Sequence, residues 1–233
     1  MKKKIVITGG GGRFGSILKN IKTKYKIYYP SKNKLDITKP ERVKLYLKKI
    51  KPNYVIHLAG LSRPMSLHER NISKSISLNI IGTSSLTIIC SDLNIKLIYL
   101  STGYVYQGKK GQYKESDPVL PWNNYGWSKL GGECAVNMFK NSLIIRVNMT
   151  EMPFVHKKAF ANVKINLLYH HQVAEKIFKL INKRGIINLG GKPQTIYSFV
   201  KKNNPEVKKG YANKNNFPTN LTMNLSKLKK IIR

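Results

Sequence analysis

Lys4-Ile-Val-Ile-Thr-Gly-Gly-Gly-Gly-Arg-Phe-Gly15 decides the fold. Lys4 to Thr8 is an apolar, β-branched run that stops at glycines, the profile of a strand buried on both faces of a parallel sheet. Phe14 to Lys22 reads as a helix that opens directly after it. Between them Gly9, Gly12 and Gly15 spell G-x-x-G-x-x-G. A turn of this kind uses glycine for the tight bend, for close backbone approach to a pyrophosphate, and for packing helix on strand. The helix start then offers unpaired N–H groups and a positive dipole end. The stretch predicts a dinucleotide-binding turn.

Outward from it, strands and helices alternate. Lys26–Tyr29, Tyr54–Ala59, Lys96–Leu100 and Ser142–Val147 read as strands, and the intervening Pro40–Lys49, Ile76–Leu93 and Tyr125–Phe139 as helices. Thr38 is expected to cap the Pro40 helix, with Glu41 closing a capping box. After Val147 the pattern weakens. Asn148 to Asn162 reads as irregular, Val163–Leu168 and Gly185–Gly191 as strands, His171–Asn182 as a helix, and Pro218–Arg233 closes with an amphipathic pattern. Alternation of this kind predicts an α/β, Rossmann-type, doubly wound parallel sheet with right-handed crossovers. The expected organisation is a dinucleotide-binding core over residues 1–147. Residues 148–233 complete the sheet and add a small, shortened C-terminal substrate lobe that is not an independent domain.

The composition supports a globular protein. The chain has 233 residues, 41% of them hydrophobic, enough to bury a core. Its 43 basic and 10 acidic residues leave a net charge of +33. The lysines are dispersed from end to end and form no nucleic-acid motif, so no nucleic-acid partner is expected. Such a field does favour capture of an anionic ligand. No apolar run approaches the ~20 residues that span a bilayer. The Met1-Lys-Lys-Lys start runs into a strand and not into a signal-peptide apolar region, which predicts a cytoplasmic protein with no membrane partner. Cys90 and Cys134 make neither a metal-ligand spacing nor a disulfide framework, and read as small core residues. His57 reads as a hydrogen-bonded core histidine. His170 and His171 lack carboxylate or cysteine companions, so no metal site is expected.

Two constellations carry chemistry. The place after the second strand, where NAD-binding chains use an acid on the ribose hydroxyls, reads Tyr29-Pro30-Ser31-Lys32. Ser31 and Lys32, with Arg13 from the glycine turn, predict a 2′-phosphate site and hence NADP(H), with NAD(H) as the alternative. Asp36 is expected to accept a hydrogen bond from the adenine amine. Tyr125-Gly-Trp-Ser-Lys129 sets a phenol and an ammonium one turn apart on one helix face. A phenol near pKa ~10 needs a nearby cation to exchange protons at neutral pH, and the same lysine can hold ribose hydroxyls. Ser101-Thr102 ends a strand at the edge where ligands of open α/β sheets bind.

These stretches resemble the extended short-chain dehydrogenases/reductases, most closely the dTDP-4-dehydrorhamnose reductases. The likeness continues through Leu35–Pro40, Pro52–Gly60, Asn79–Thr83, Leu100–Gly108, Glu115–Glu133, Gly185–Gly191 and Pro218–Leu228. It covers nearly the whole chain and is densest over residues 1–147. The resemblance implies NADPH-dependent reduction of the C4 keto group of a nucleotide-linked 6-deoxy sugar, an anionic substrate. In that scheme Tyr125 is the proton donor, Lys129 its partner and ribose clamp, and Thr102 the hydroxyl on the substrate carbonyl. It also implies coenzyme contacts from Phe14, Ile37, Leu58, Ala59, Gly60 and Asn79, the last within a supporting water network. Gly103, Tyr104, Asn148 and Met149 join Thr102 and Tyr125 around the substrate, and Trp122 and Trp127 flank that segment as pocket or packing residues.

The chain departs from the family in three places. Gly103 stands where an acidic residue is usual, Val147-Asn-Met149 lacks the usual tryptophan, and Asn148–Tyr169 is short. An epimerase or dehydratase with bound NAD, and a non-catalytic NADP-binding regulatory subunit, are therefore the competing expectations. A homodimer is one assembly the sequence leaves open.

Overall fold

In this computed structural model residues 2–215 and 217–232 are described. β1 (Lys4–Thr8) leads to α1 (Arg13–Leu18), β2 (Lys26–Tyr28), α2 (Pro40–Ile50) and β3 (Tyr54–His57). A broken helical stretch follows: α3 (Ser66–Arg70), α4 (Ile72–Ser75), a π-helical turn (Ile76–Ile81) and α5 (Gly82–Asp92). Next come β4 (Lys96–Ser101), a 3₁₀ turn (Gly103–Val105), α6 (Asn124–Met138) and β5 (Ser142–Thr150). The remainder comprises β6 (Lys158–Phe160), β7 (Lys164–Ile165), β8 (Leu167–Tyr169), α7 (His170–Leu180), β9 (Gly185–Leu189), β10 (Gln194–Thr195), α8 (Ile196–Val200), β11 (Lys208–Gly210) and α9 (Ser226–Ile231).

The central sheet is parallel, in the order β2-β1-β3-β4-β5. The outer edge of β5 is shared. Leu143–Val147 pair with β9, and Asn148–Thr150 pair with β8. The strands are apolar on both sides because both sides are covered. On one side Ile5, Ile7, Ile56, Ile98, Leu143 and Ile145 pack against Phe14 and Leu18 of α1 and Val173 and Ile177 of α7. On the other, Val6, Val55, Leu97, Tyr99 and Ile144 meet α2, α5 and α6 through Val43, Leu47, Leu86, Ile89 and Val136. This is the doubly wound, Rossmann-type arrangement. Between β1 and β3 the winding reverses direction, and a crevice opens there at the carboxyl ends. A smaller core lies beyond the sheet, where Val163, Ile165, Tyr169, Phe199, Val207 and Leu221 pack together.

Four local expectations are corrected. Thr38 does not cap α2. Its N–H and hydroxyl both donate to Asp36 Oδ1, at 2.9 and 2.8 Å, and Lys39 takes the cap position without a side-chain bond. A carboxylate two residues upstream outcompetes the helix end for that hydroxyl. The helix expected from Ile76 has helical turns before it from Ser66 and a π-helical turn inside it. These first turns lack apolar periodicity, and Asn71 caps the second of them by accepting from Lys74 N–H at 2.9 Å. β5 extends to Thr150, because β8 supplies a partner for residues expected to be irregular. Cys90 is buried as expected, but Cys134 is exposed on α6.

Candidate functional site

The crevice is built by hydrogen bonds at the strand ends. The Thr8 Oγ1 atom accepts from the N–H groups of Leu58 and Ala59, both at 3.2 Å, tying β1 to the loop after β3. Its proton therefore goes to His57 Nδ1 at 2.8 Å, and His57 Nε2–H donates to Thr83 Oγ1 at 3.0 Å. Burial, helped by the charge of Lys129, pushes the His57 pKa down to about 3, in keeping with a neutral ring fixed in one tautomer. His57 is thus the core histidine expected.

The glycine turn fits a pyrophosphate. Gly9 has φ +68°, and a Cβ there would stand 2.7 Å from Ala59 N. A Cβ on Gly15 would stand 2.7 Å from Gly10 Cα, so α1 approaches the turn as closely as backbone allows. Gly11 and Gly12 stay exposed, and Gly12 precedes the first turn of α1. Gly12 N–H is spent on Gly9 O at 2.9 Å, and a Cβ on Gly11 would meet open space, so the turn forms an open cradle. Phe14 is buried beneath it against His170, with ring centroids 5.6 Å apart.

The trio expected at a 2′-phosphate divides. Ser31 and Lys32 are exposed after β2, with Lys32 Nζ 4.0 Å from Asp36 Oδ2. Arg13 turns to the opposite side of β1. Its guanidinium lies 3.3 Å from Glu151 Oε1 and donates to Ser62 Oγ at 3.4 Å, residues that follow β5 and β3. A carboxylate is a stronger draw than the open surface near Lys32, itself one more cation. Asp36 spends one oxygen on Thr38, which holds its carboxyl below the usual range; the other remains turned to Lys32. Ile37 is buried against Gly82.

Asn79, expected in a water network, hydrogen-bonds protein groups through both ends of its carboxamide. Its Oδ1 accepts from Leu61 N–H at 2.7 Å, and its Nδ2 donates to Leu61 O and Ser128 Oγ, both at 2.8 Å. The carboxamide ties the Gly60–Leu61 loop to α6. The π-helical turn aims it there.

α6 starts under an Asn123 cap, whose Oδ1 accepts from Gly126 N–H at 2.8 Å. It presents Tyr125 and Lys129 one turn apart on one face. Among the described residues no hydrogen bond joins them directly. The Lys129 ammonium lies 4.1 Å from the Tyr99 ring centroid, and burial depresses its pKa to about 7 despite Glu133. Burial raises the Tyr125 phenol, while the nearby Thr102 hydroxyl, which donates to Asn148 Oδ1 at 3.5 Å, and the charge of Arg63 pull it back. The cation that pulls the phenol down is Arg63, from a different loop; Lys129, the partner expected, is not among the groups that do so. Tyr125 also meets Tyr104 edge-on at 6.0 Å and His68 at 5.2 Å.

The substrate-side residues separate in the same way. Thr102 is buried at the end of β4, and Gly103 N–H donates to Asn148 Oδ1 at 3.2 Å. A Cβ at Gly103 would stand 2.3 Å from Asn148 Nδ2, so the carboxamide fills the space that a side chain at 103 would need. Met149, one residue on, points to the other side of the strand and packs against the α1/α7 core. Tyr104 continues into Trp122 and Phe217, with centroids 5.4 and 4.6 Å apart in turn. Trp127 instead stands on the outer face of α6, 48% exposed, in a groove with Ile72 and Ile76.

Sequence reasoning missed Arg63 and Glu151. Glu151 is one of only 10 acidic residues in the chain. Asking where so few acids go would have found it, since it and Glu133 both meet arginines. Among the described residues no cluster of His, Cys, Asp and Glu could hold a metal, and no helix is long and apolar enough to cross a membrane.

A parallel doubly wound sheet, a glycine turn at its switch point and a Tyr/Lys helix beside it define an α/β protein of the short-chain dehydrogenase/reductase type. Residues 2–174 match the RmlD substrate binding domain family, and the chain belongs to that family. It is 31% identical over 152 residues to a dTDP-4-dehydrorhamnose reductase of Aggregatibacter actinomycetemcomitans, covering 63% of this chain and 51% of the relative. It is 29% identical over 143 residues to methionine adenosyltransferase 2 subunit beta of Xenopus laevis, covering 58% and 42%. The chain thus matches about half the length of these curated relatives or less. Among solved structures, a dTDP-4-dehydrorhamnose reductase from Bacillus anthracis in complex with NADP superposes with a TM-score of 0.85 at 23% identity, over 99% of this chain and 92% of that one.

Proposed function

We propose that the protein is an NADPH-dependent reductase acting on the C4 keto group of a nucleotide-linked 6-deoxy sugar. The observation that carries this reading is Tyr125 edge-on to Tyr104, whose N–H donates to Thr102 Oγ1 at 3.2 Å, at the strand edge that also holds the glycine cradle. The Gly9–Gly15 turn and the start of α1 would hold the pyrophosphate, Lys129 the nicotinamide ribose, and Ser31 and Lys32 the 2′-phosphate. Ala59 and Gly60 would line the crevice beside them. When bound, reduced nicotinamide supplies the hydride. Thr102 orients the substrate carbonyl against the Tyr125 hydroxyl, and Tyr125 donates its proton to the oxygen as negative charge develops there. General-acid help of this kind contributes roughly 10²–10⁴ in rate. Lys129, with its pKa near neutrality, can restore that proton without carrying a heavily solvated charge.

The relatives named for this activity support the reading. Purified protein given NADPH and a dTDP-4-keto-6-deoxyhexose is expected to consume NADPH absorbance. The likeness to a methionine adenosyltransferase beta subunit favours a second reading, a non-catalytic nucleotide-binding subunit. NADPH binding without consumption, across a panel of keto-sugar nucleotides, would select it. Either way we place the protein in the cytoplasm. A homodimer would cover the groove of about 480 Å³ along Ile72, Ile76, Ile80 and Trp127. Sedimentation equilibrium reports that assembly.

A further inference from the structure

Arg63 and Glu151 have no part in the proton transfer just described, yet they are the most strongly paired ionic groups at the crevice mouth. Arg63 follows β3 and Glu151 follows β5. Both carboxylate oxygens of Glu151 accept from the same nitrogen, Arg63 Nη1, at 3.0 and 2.9 Å. Arg13, from the turn after β1, adds a second guanidinium at 3.3 Å. One carboxylate therefore gathers two cations from loops on separate strands, and its own side chain is only 16% exposed.

The manner of pairing matters. A guanidinium binds a carboxylate or phosphate best through two parallel N–H groups on one edge. Here Glu151 takes one nitrogen, and Arg63 Nε and Nη2 donate to no residue among those described. The bidentate edge remains available, on a side chain 29% exposed. Its carboxylate partner also holds Arg13, the residue after Gly12 in the glycine turn, so the guanidinium lies beside that turn. Arg63 thus stands next to the glycine turn with an unspent fork.

We infer that Arg63, held in line by Glu151, binds a phosphate of a diphosphate-bearing nucleotide through its Nε and Nη2 edge. The inference rests on the reductase reading above, and names a ligand-binding residue for the same site. The diphosphate belongs either to the sugar nucleotide or to the coenzyme. Glu151 is a positioning residue: it neutralises part of a doubly cationic cluster and keeps the guanidinium plane from folding back.

The test is calorimetric titration of the full chain with NADPH, thymidine diphosphate and inorganic pyrophosphate, using wild type, Arg63→Gln and Arg63→Lys. Melting curves establish that each variant is folded; the lysine variant keeps a cation opposite Glu151 should the glutamine variant fail to fold. Arg63→Gln is expected to weaken one nucleotide about 10- to 100-fold, as loss of charge-assisted bonds does. Arg63→Lys is expected to recover only part of this, since an ammonium has no fork. A loss confined to thymidine diphosphate assigns the guanidinium to the substrate, and one confined to NADPH assigns it to the coenzyme. Unchanged affinities for all three probes in both variants overturn the inference while leaving the reductase reading intact. If wild type binds neither nucleotide, the reductase reading falls. Pyrophosphate then decides alone, supporting Arg63 if its affinity depends on that side chain and refuting it otherwise.

Discussion

At the scale of single residues, Tyr125, Lys129 and the Gly103–Asn148 pair make separable claims. Tyr125→Phe removes one oxygen and leaves the crevice shape intact. Turnover of the keto sugar is expected to fall by roughly 10²–10⁴ while NADPH affinity, read by fluorescence titration, stays put. Lys129 makes a claim about stability. Unfolded, its amine keeps a proton up to about 10.5; folded, only up to about 7. The unfolded chain therefore binds more protons between those values, so stability rises with pH across that window and the burial cost is fully present below it. Lys129→Met is expected to melt above wild type at about pH 6, with the advantage shrinking toward pH 10, while weakening coenzyme binding. Gly103→Ala places a methyl 2.3 Å from Asn148 Nδ2. Alone it should destabilise the fold; combined with Asn148→Ala, which clears the space, it should restore the melting temperature. Equal damage from both would show that something other than that contact is at fault.

At the scale of elements, α6 is the piece that must not drift, because it carries both Tyr125 and Lys129. It is anchored to β5 by a buried ion pair. Arg146 Nε donates to both oxygens of Glu133 at 3.1 Å, and Nη2 to Oε2 at 2.7 Å, with both side chains under 5% exposed. Arg146 Nη1 reaches the Tyr106 hydroxyl at 2.8 Å. Removing one partner strands the other charge in a dry interior. Glu133→Ala is expected to cost about 3–5 kcal/mol in denaturant unfolding, and an apolar replacement of both partners far less. At its other end α6 is held by Ser128, which receives Asn79 Nδ2 from the π-helical turn. An ordinary α-turn there would rotate Asn79 away from Leu61, so the irregularity sets the position of the loop beside the glycine cradle.

At the scale of the whole molecule, two effects act on every element. The charge of +33 makes the folded chain repel itself, and salt screens that repulsion, with a Debye length of about 10 Å at 0.1 M. The melting temperature is expected to rise as sodium chloride is added from low ionic strength. Acid has the opposite effect. Burial lowers the pKa values of His57, His68 and His170, that of His57 from 6.5 to about 3. The folded form stays neutral where the unfolded form takes up protons, so the contribution of these histidines is flat above about 6.5 and falls as pH drops toward 3. A pH series of melting curves without that acid limb would contradict the neutral, hydrogen-bonded His57.

The doubly wound sheet was legible because buried parallel strands are runs of β-branched residues with glycine at their ends, and local sequence records both. The Tyr125/Lys129 face was legible because one helical turn is a fixed spacing. The helical turns from Ser66 to Ser75 were not, for they have no apolar period to detect. Arg13 is grouped with Lys32 because it sits in the glycine turn. It went instead to a carboxylate 138 residues away in sequence, at Glu151.

What the amino-acid order determined by itself was therefore everything set by short-range pattern: the alternation of elements, the phosphate turn and the phenol–lysine spacing. What only the tertiary structure decided was which charges meet. With 43 basic residues and 10 acids, pairing is a competition among many cations for few carboxylates. Its outcome depends on which loops the strand order brings together at one edge of the sheet. Arg63 on Glu151, and Asn148 in the space left by Gly103, are results of that convergence, since electrostatic and packing contacts act through distance in space and not along the chain.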